Sequence, residues 1–69
     1  MEYANIMFSQ EGKYDVRVCD TQGKLITAKQ HHADNNEVCK LSFDAPKGVY
    51  YVIISRDGKC VRSFKVIKE

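Results

Sequence analysis

Apolar and polar residues alternate along most of this chain, and no segment has the three-to-four-residue apolar spacing of a helix. The clearest alternation runs through residues 14–19, where Tyr14, Val16 and Val18 share one face of an extended chain. Polar residues dominate the opposite face, so that side is expected to meet water. The pattern predicts six strands: Tyr3–Ser9, Tyr14–Cys19, Leu25–Gln30, Glu37–Phe43, Val49–Arg56 and Lys59–Ile67.

Turn residues separate these predicted strands. Asp57 and Gly58 stand at the centre of a two-residue hairpin turn, which needs positive φ at both positions. Asp20 can accept a hydrogen bond from the backbone two residues on, and Gly23 can take the left-handed conformation that closes a short hairpin loop. Gly12 is likewise expected to take positive φ in a turn over residues 10–13.

The last two strands carry the most informative pattern. Residues 49–56 are apolar on both faces, which is typical of a central strand or of one whose second face is covered. Val61 and Phe64 differ in parity, so a bulge is expected near Arg62 or Ser63. Short strands at this spacing predict an all-β, immunoglobulin-like antiparallel β-sandwich of about six to seven strands. The predicted inward set is Ile6, Phe8, Val16, Val18, Leu25, Leu41, Phe43, Tyr50, Val52, Ile54, Phe64 and Val66.

Length and composition limit the function classes. Sixty-nine residues make one domain, residues 1–69. A chain of this size buries only about 60% of its unfolded surface, which leaves little room for a deep catalytic cleft. The hydrophobic content of 43% and the charged content of 29% are those of a globular protein. Met1 is either the native start or the start of a domain excised from a larger protein.

Charge is unevenly distributed. The net charge of +2 is too small to indicate nucleic-acid binding. Residues 56–69 nevertheless carry five basic and two acidic side chains. This end is compatible with an acidic partner or an anionic membrane surface, or with lysines that keep a strand edge soluble. No apolar run approaches the roughly 20 residues of a membrane-spanning helix, and residues 1–10 show no signal-peptide pattern.

The sequence shows no catalytic or cofactor-binding set. Its serines lack the GxSxG context, neither histidine has a serine or cysteine placed for activation, and each glycine is explained by a turn. An enzyme is therefore not expected. Cys19, Cys39 and Cys60 lie in three different predicted strands, and an odd count cannot pair fully within the chain. We expect free thiols that behave as small apolar residues, with one inter-strand disulfide as the alternative.

The paired histidines raise the question of a metal site. His31 and His32 precede Asp34, but adjacent residues of a strand point to opposite faces and no third ligand has suitable spacing. The segment 31–36, HHADNN, is therefore predicted to be a polar, mobile loop, and no metal site is predicted.

Three segments in order resemble a known family: YDVRVCDTQGKLI, LSFDAPKGVYYVIIS and DGKCVRSFKVIK, within residues 14–68. They are similar to the C-terminal sorting domains of the type IX (Por) secretion system of Bacteroidetes. That family has V-x-V-x-D-x-x-G-K/R, G-x-Y-x-V-x-I and K-x-x-K-like segments. The matching residues are Val16, Val18, Asp20, Gly23, Lys24, Gly48, Tyr50, Val52, Ile54, Lys65, Val66, Ile67 and Lys68.

The chain also departs from that family's pattern. The Pro-Asn-Pro segment that usually comes first is absent, and Ala45 stands where the family tends to have leucine. A group of small secreted Bacteroides sandwich proteins of unknown role has similar segments.

The resemblance implies a module at the end of a larger exported protein. Such a domain folds in the periplasm, is recognised by the outer-membrane secretion machinery, and brings an upstream cargo domain to the cell surface or beyond. Recognition is expected to use the face and edge of the last hairpin. The candidate residues are Gly48, Tyr50, Lys65, Val66, Ile67 and Lys68. The alternative is an immunoglobulin-like accessory domain that binds carbohydrate or protein, or packs on a neighbouring domain, through Tyr51 and Ile53.

Overall fold

A computed structural model describes residues 4–69, which form six strands and no helix. Within this range there is accordingly no helix long and apolar enough to cross a membrane. Tyr3, which the alternation assigned to the first strand, lies outside the described residues. The strands are β1 (Ala4–Phe8), β2 (Gly12–Asp20), β3 (Leu25–Ala33), β4 (Glu37–Leu41), β5 (Gly48–Arg56) and β6 (Lys59–Lys68).

The six strands divide unequally between two antiparallel sheets. The larger sheet has the order β3-β2-β5-β6, and the smaller consists of β1 paired with β4. The two sheets pack into a small β-sandwich, which confirms the predicted all-β class. β5 lies between β2 and β6, so the strand that is apolar on both faces is a central one, as its pattern predicted.

Alternate residues of β1, β2, β4 and β5 fill the space between the sheets. Among the described residues, the buried core contains Ile6, Phe8, Tyr14, Val16, Val18, Ala33, Leu41, Tyr50, Val52 and Ile54. Phe43, Phe64 and Val66, which were predicted to face inward, are partly buried against this core. Most of the inward set is thus confirmed.

Leu25 was predicted to be in the core, and this prediction is wrong. Its side chain is 53% exposed. The register of β2 with β3 shifts between Val18 and Cys19, so that Leu25 lies opposite Cys19, and Ile26 packs against the core instead. Because successive residues alternate between faces, one extra residue is enough to move a side chain from the core to the surface.

The segment 31–36 is not a loop as a whole, which corrects a second prediction. β3 continues through His31 and His32 to Ala33, whose side chain is fully buried. A turn over residues 34–36 then leads to β4, with Asn36 at a φ of 58° and the Glu37 N–H donating to the Asp34 carbonyl at 3.3 Å. The polar composition of this segment did not indicate a strand, because its one apolar residue, Ala33, is small.

The predicted turn chemistry is confirmed at the two hairpins of the larger sheet. Asp57 and Gly58 have φ values of 53° and 78°, and Gly23 has 83°. The Asp20 carboxylate accepts hydrogen bonds from the backbone N–H groups of Gln22 and Lys24, both at 2.9 Å. These side-chain and backbone preferences set where each hairpin reverses.

Gly12 does not take positive φ; it begins β2. A Cβ at this position would come within 3.0 Å of the Arg56 guanidinium carbon. The absence of a side chain therefore lets Arg56 lie across the start of β2, over the Tyr14 ring at 5.6 Å.

The bulge expected in the last strand is present. Ile54 pairs with Arg62 and Ser55 pairs with Cys60, which leaves Val61 without an opposite residue. The irregularity is adjacent to Arg62, as the mixed parity predicted, and Val61 lies on the surface.

Candidate functional site

The β5–β6 hairpin carries every residue that the sequence singled out for recognition. Its register pairs Gly48 with Lys68, Tyr50 with Val66, and Tyr51 with Lys65. Because neighbouring residues of a strand alternate between faces, these candidates divide into an inward and an outward group. The two groups have different surroundings.

Tyr50 belongs to the inward group and serves the fold. Its side chain is buried, its hydroxyl donates a hydrogen bond to the Pro46 carbonyl at 2.5 Å, and its ring meets that of Phe43 edge-on at 5.1 Å. Tyr14 makes the equivalent bond at the start of β2, to the Gln10 carbonyl. A tyrosine hydroxyl that closes back on the chain four residues earlier fixes the entry into a strand, as in the tyrosine corner of β-sandwiches.

Lys68 is also tied to the fold. Its ammonium donates a hydrogen bond to the Phe43 carbonyl at 2.5 Å and lies 4.9 Å from the centre of the Phe43 ring. These contacts join the end of β6 to the segment that follows β4. Val66, opposite Tyr50, is partly buried against the core. Both side chains are therefore half-buried and already have partners within the fold.

Gly48 begins β5 and has no side chain to offer. A Cβ added there would lie 3.8 Å from the Tyr50 ring, an ordinary packing distance. Its role at this site is therefore confined to the backbone at the start of the hairpin.

The remaining candidates lie together on the solvent side of the larger sheet. Lys65 and Ile67 are exposed, with 57% of Ile67 accessible, and Tyr51 is 43% exposed. Val49 pairs with Ile67, and Tyr51 pairs with Lys65. Ile53 is half-buried on the same face. We call Val49, Tyr51, Ile53, Lys65 and Ile67 the outer hairpin face.

This face extends onto the neighbouring strands, which the sequence did not reveal. On β2, Cys19 pairs with Tyr51 and Arg17 with Ile53, and the exposed Leu25 of β3 lies beyond Cys19. An apolar strip with basic side chains at its margins suits a partner that presents apolar groups and carboxylates. Alternation within β2 predicts which of its residues face outward. It does not predict that β2 lies beside β5, because that pairing joins residues far apart in sequence.

A shallow groove lies on another side of the molecule, between β1 and the beginning of β6. It has a volume of about 220 Å³, and exposed Met7 and Val61 contribute to its lining with the buried Ile6 and Phe8. The groove forms because the two strands of the smaller sheet do not cover the whole inner face of the four-stranded sheet. It contains no arrangement of a nucleophile with a base among the described residues.

A cluster of three potential metal ligands lies at the junction of β3 and β4. The donor atoms of His31, Glu37 and Cys39 are all within 4.8 Å of one another, and the His31 Nε2 and Glu37 Oε2 atoms are hydrogen-bonded at 2.5 Å. The pKa of Glu37 is lowered, first by the hydrogen bond from the Asp34 backbone and then by that with His31. All three cysteines of the chain are free thiols, as expected.

Comparison with protein families gives one match over the whole chain. A model described as the secretion system C-terminal sorting domain matches residues 1–69. No curated protein and no solved structure gives a significant match. The matched range includes the segment before Tyr14, to which the three resembling segments do not extend.

Proposed function

The chain belongs to the family of secretion system C-terminal sorting domains, and from this premise we propose that the outer hairpin face is the surface by which it is recognised. Members of the family are sorting signals of type IX secretion. The domain directs an exported cargo protein by this route to the cell surface or outside, which requires contact with the secretion machinery. The family is known for sorting, not for catalysis. The accessory-domain alternative gains no support from the family match.

One observation carries the proposal. Of the residues expected to take part in recognition, Tyr50, Val66 and Lys68 have contacts within the fold, whereas Lys65 and Ile67 are exposed beside Tyr51. The two alternatives from the sequence, the end of β6 and the outward side of β5, therefore describe one continuous surface. We infer that a partner in the outer-membrane machinery places apolar groups against Tyr51 and Ile67 and a carboxylate near Lys65.

The edge of β6 supplies a second means of contact. β6 is hydrogen-bonded to β5 on one side and is the last strand of the larger sheet. On its other side β6 pairs with no strand among residues 4–69, so an extended segment of a partner could pair with its backbone there, while the outer hairpin face would select the partner by its side chains.

The test is export of a reporter protein fused to this domain in a host with a functional type IX system. Lys65→Glu and Ile67→Ser, alone and combined, are expected to lower export about tenfold or more, equivalent to ~1.4 kcal/mol of lost binding free energy. Matched controls place the same changes elsewhere on the surface, Lys59→Glu beside the hairpin turn and Val38→Ser on β4. Export of these controls is expected to remain at the level of the original domain.

Two further measurements separate the possible failures. Removal of the whole domain is expected to abolish export, and export without it would contradict the sorting function for this cargo. Thermal unfolding of the isolated variants shows whether each still folds. Folded variants of the outer hairpin face that export normally would overturn the proposed surface and leave the sorting function intact.

Truncation of the chain end is a less informative test. Removing residues 66–69 takes away Lys68 with its bond to Phe43 and Val66 with its core contacts. Stability and the recognition surface would then change together. Point changes at exposed positions avoid this ambiguity.

A further inference from the structure

At the junction of β3 and β4, three side chains that can bind a metal ion lie close together. Their chemistry differs from that of the apolar core. Glu37 and Cys39 are two residues apart in β4 and therefore project from the same face. His31 pairs with the buried Tyr14 across β2 and β3, so it points toward the same interior space. All three side chains are partly buried. The topology thus directs an imidazole, a carboxylate and a thiol from the two layers of the sandwich toward one point.

We propose that His31, Glu37 and Cys39 form a binding site for Zn²⁺, with water as the fourth ligand. Imidazole nitrogen, carboxylate oxygen and thiolate sulfur are the groups that bind this ion in proteins, and four-coordinate tetrahedral geometry is usual. Hard ions such as Mg²⁺ and Ca²⁺ prefer oxygen donors and do not suit a site that includes a thiol.

The distances fit this assignment after small side-chain movements. Zinc bonds of about 2.0–2.3 Å place tetrahedral ligand atoms roughly 3.3–3.7 Å apart. The three donor atoms are at most 4.8 Å apart, and the His31 Nε2 and Glu37 Oε2 atoms are at 2.5 Å. An inserted ion would separate the hydrogen-bonded pair by about 1 Å and draw in the Cys39 sulfur. Rotations about side-chain bonds suffice for both movements.

Neighbouring groups already orient two of the three ligands. The Asp34 N–H donates a hydrogen bond to Glu37 Oε1 at 3.2 Å, which leaves Oε2 directed at His31. The His31 ring stacks on Phe8, with ring centres 5.2 Å apart. Such contacts to ligating side chains fix their orientation before an ion binds.

Proton release accompanies binding at this site. The Cys39 thiol must lose its proton to coordinate as thiolate, and His31 Nε2 must present its lone pair, which moves the ring proton to Nδ1 or to solvent. The bound ion would join β3 of the larger sheet to β4 of the smaller one, and it would close the layers at the side where the turn over residues 34–36 connects them.

Direct titration of the whole 69-residue chain, kept in a non-thiol reductant, tests the assignment. One equivalent of Co²⁺, which takes the place of Zn²⁺ and is coloured, is expected to give a thiolate-to-metal absorption band that Zn²⁺ abolishes. At a Zn²⁺ concentration 100-fold above its Kd, the melting temperature is expected to rise by at least about 10 °C.

Matched variants decide which side chains bind the ion. Cys39→Ser and His31→Ala are expected to remove the absorption band or weaken binding by at least about 100-fold. Cys60→Ser and His32→Ala change the same residue types outside the cluster and are expected to bind as the original chain does. Circular dichroism of each variant without metal establishes that it folds.

Three results would overturn the site. They are the absence of a thiolate band in the original chain, a melting temperature that Zn²⁺ does not change, and a loss of binding in Cys60→Ser equal to that in Cys39→Ser. These measurements do not depend on export, so the metal site and the recognition surface stand or fall separately.

Discussion

The two faces of the β5–β6 hairpin are built from the same two strands, yet one face is buried and the other is accessible to solvent. On the inner face, Tyr50, Val52 and Ile54 are almost fully buried. On the outer face, Tyr51 and Ile67 remain accessible to solvent. Of the residues that carry the family resemblance in β5, the fold buries Tyr50, Val52 and Ile54, whereas Gly48 is partly buried. In β5 the family pattern therefore reflects the packing of the core, whereas Lys65 and Ile67 of β6, which also belong to the pattern, are exposed on the outer hairpin face.

The largest effect expected from this comparison is on stability. Ile54→Ala removes a buried side chain from the centre of the core and is expected to cost about 2–5 kcal/mol of unfolding free energy. Ile53→Ala, at the next position but half-buried on the outer hairpin face, is expected to cost about 1 kcal/mol or less. Urea unfolding of both variants provides the measurement. Equal losses of unfolding free energy would mean that Ile53 is packed as tightly as Ile54, which would contradict the difference between the two faces.

The two adjacent tyrosines provide a finer contrast. Tyr50→Phe deletes the hydrogen bond to the Pro46 carbonyl and leaves that acceptor without its partner, which is expected to cost about 1–3 kcal/mol. Tyr51→Phe removes an exposed hydroxyl and is expected to leave stability within about 0.5 kcal/mol. Chemical unfolding of the pair at one temperature would show the difference. A stable Tyr50→Phe variant would argue that the hydroxyl bond contributes little to the entry into β5.

The two lysines are expected to separate stability from export. Lys68→Met removes the donor to the Phe43 carbonyl and is expected to lower stability by about 1 kcal/mol. Lys65→Met is expected to leave stability unchanged within about 0.5 kcal/mol but to reduce export of a fused reporter. If Lys68→Met impaired export at full stability and Lys65→Met did not, recognition would lie at the chain end and not on the outer hairpin face.

The smallest effect expected concerns acid, and it arises away from the hairpin. The hydrogen bond from the Asp34 backbone, and then that with His31, hold the folded-state pKa of Glu37 below its ordinary value, so its stabilising contribution is fully present above that ordinary value. The contribution is lost as pH falls through the folded-state pKa. The unfolded chain, in which the pKa of Glu37 is higher, takes up the proton more readily. Glu37→Gln is expected to flatten this part of the stability profile, measured by thermal melts between pH 3 and 6. An unchanged profile would contradict a contribution of Glu37 to the acid sensitivity.

Local patterns made much of the fold predictable. The Asp57-Gly58 turn, the central position of β5 and most of the inward set follow from residue type and two-residue periodicity. The errors at Leu25 and at residues 31–33 have a common cause. Near Leu25, one inserted residue in β3 changes which side chains face inward. At the end of the same strand, the small Ala33 takes the inward position. Neither residue produces a strong signal in a single sequence.

The candidate sites depended more on long-range order. The outward positions Tyr51 and Lys65 could be identified from alternation, but their junction with Arg17 and Cys19 required the pairing of β2 with β5. Similarly, Glu37 and Cys39 share a face that alternation predicts, whereas the approach of His31 depends on the turn that carries the chain from one sheet to the other. Pairings of this kind are set by the packing of the whole domain.

The unequal division of strands also sets the order in which backbone amide protons exchange with solvent. A two-stranded ribbon has little stability of its own, so β1 and β4 keep their hydrogen bonds only while they rest on the larger sheet. Amides of β1 and β4 are therefore expected to take up deuterium through partial opening, whereas those of β5, bonded on both sides, wait for global unfolding. An ion held between His31 and Cys39 would slow this opening at one end of the ribbon and would make the smaller layer a metal-dependent part of the domain.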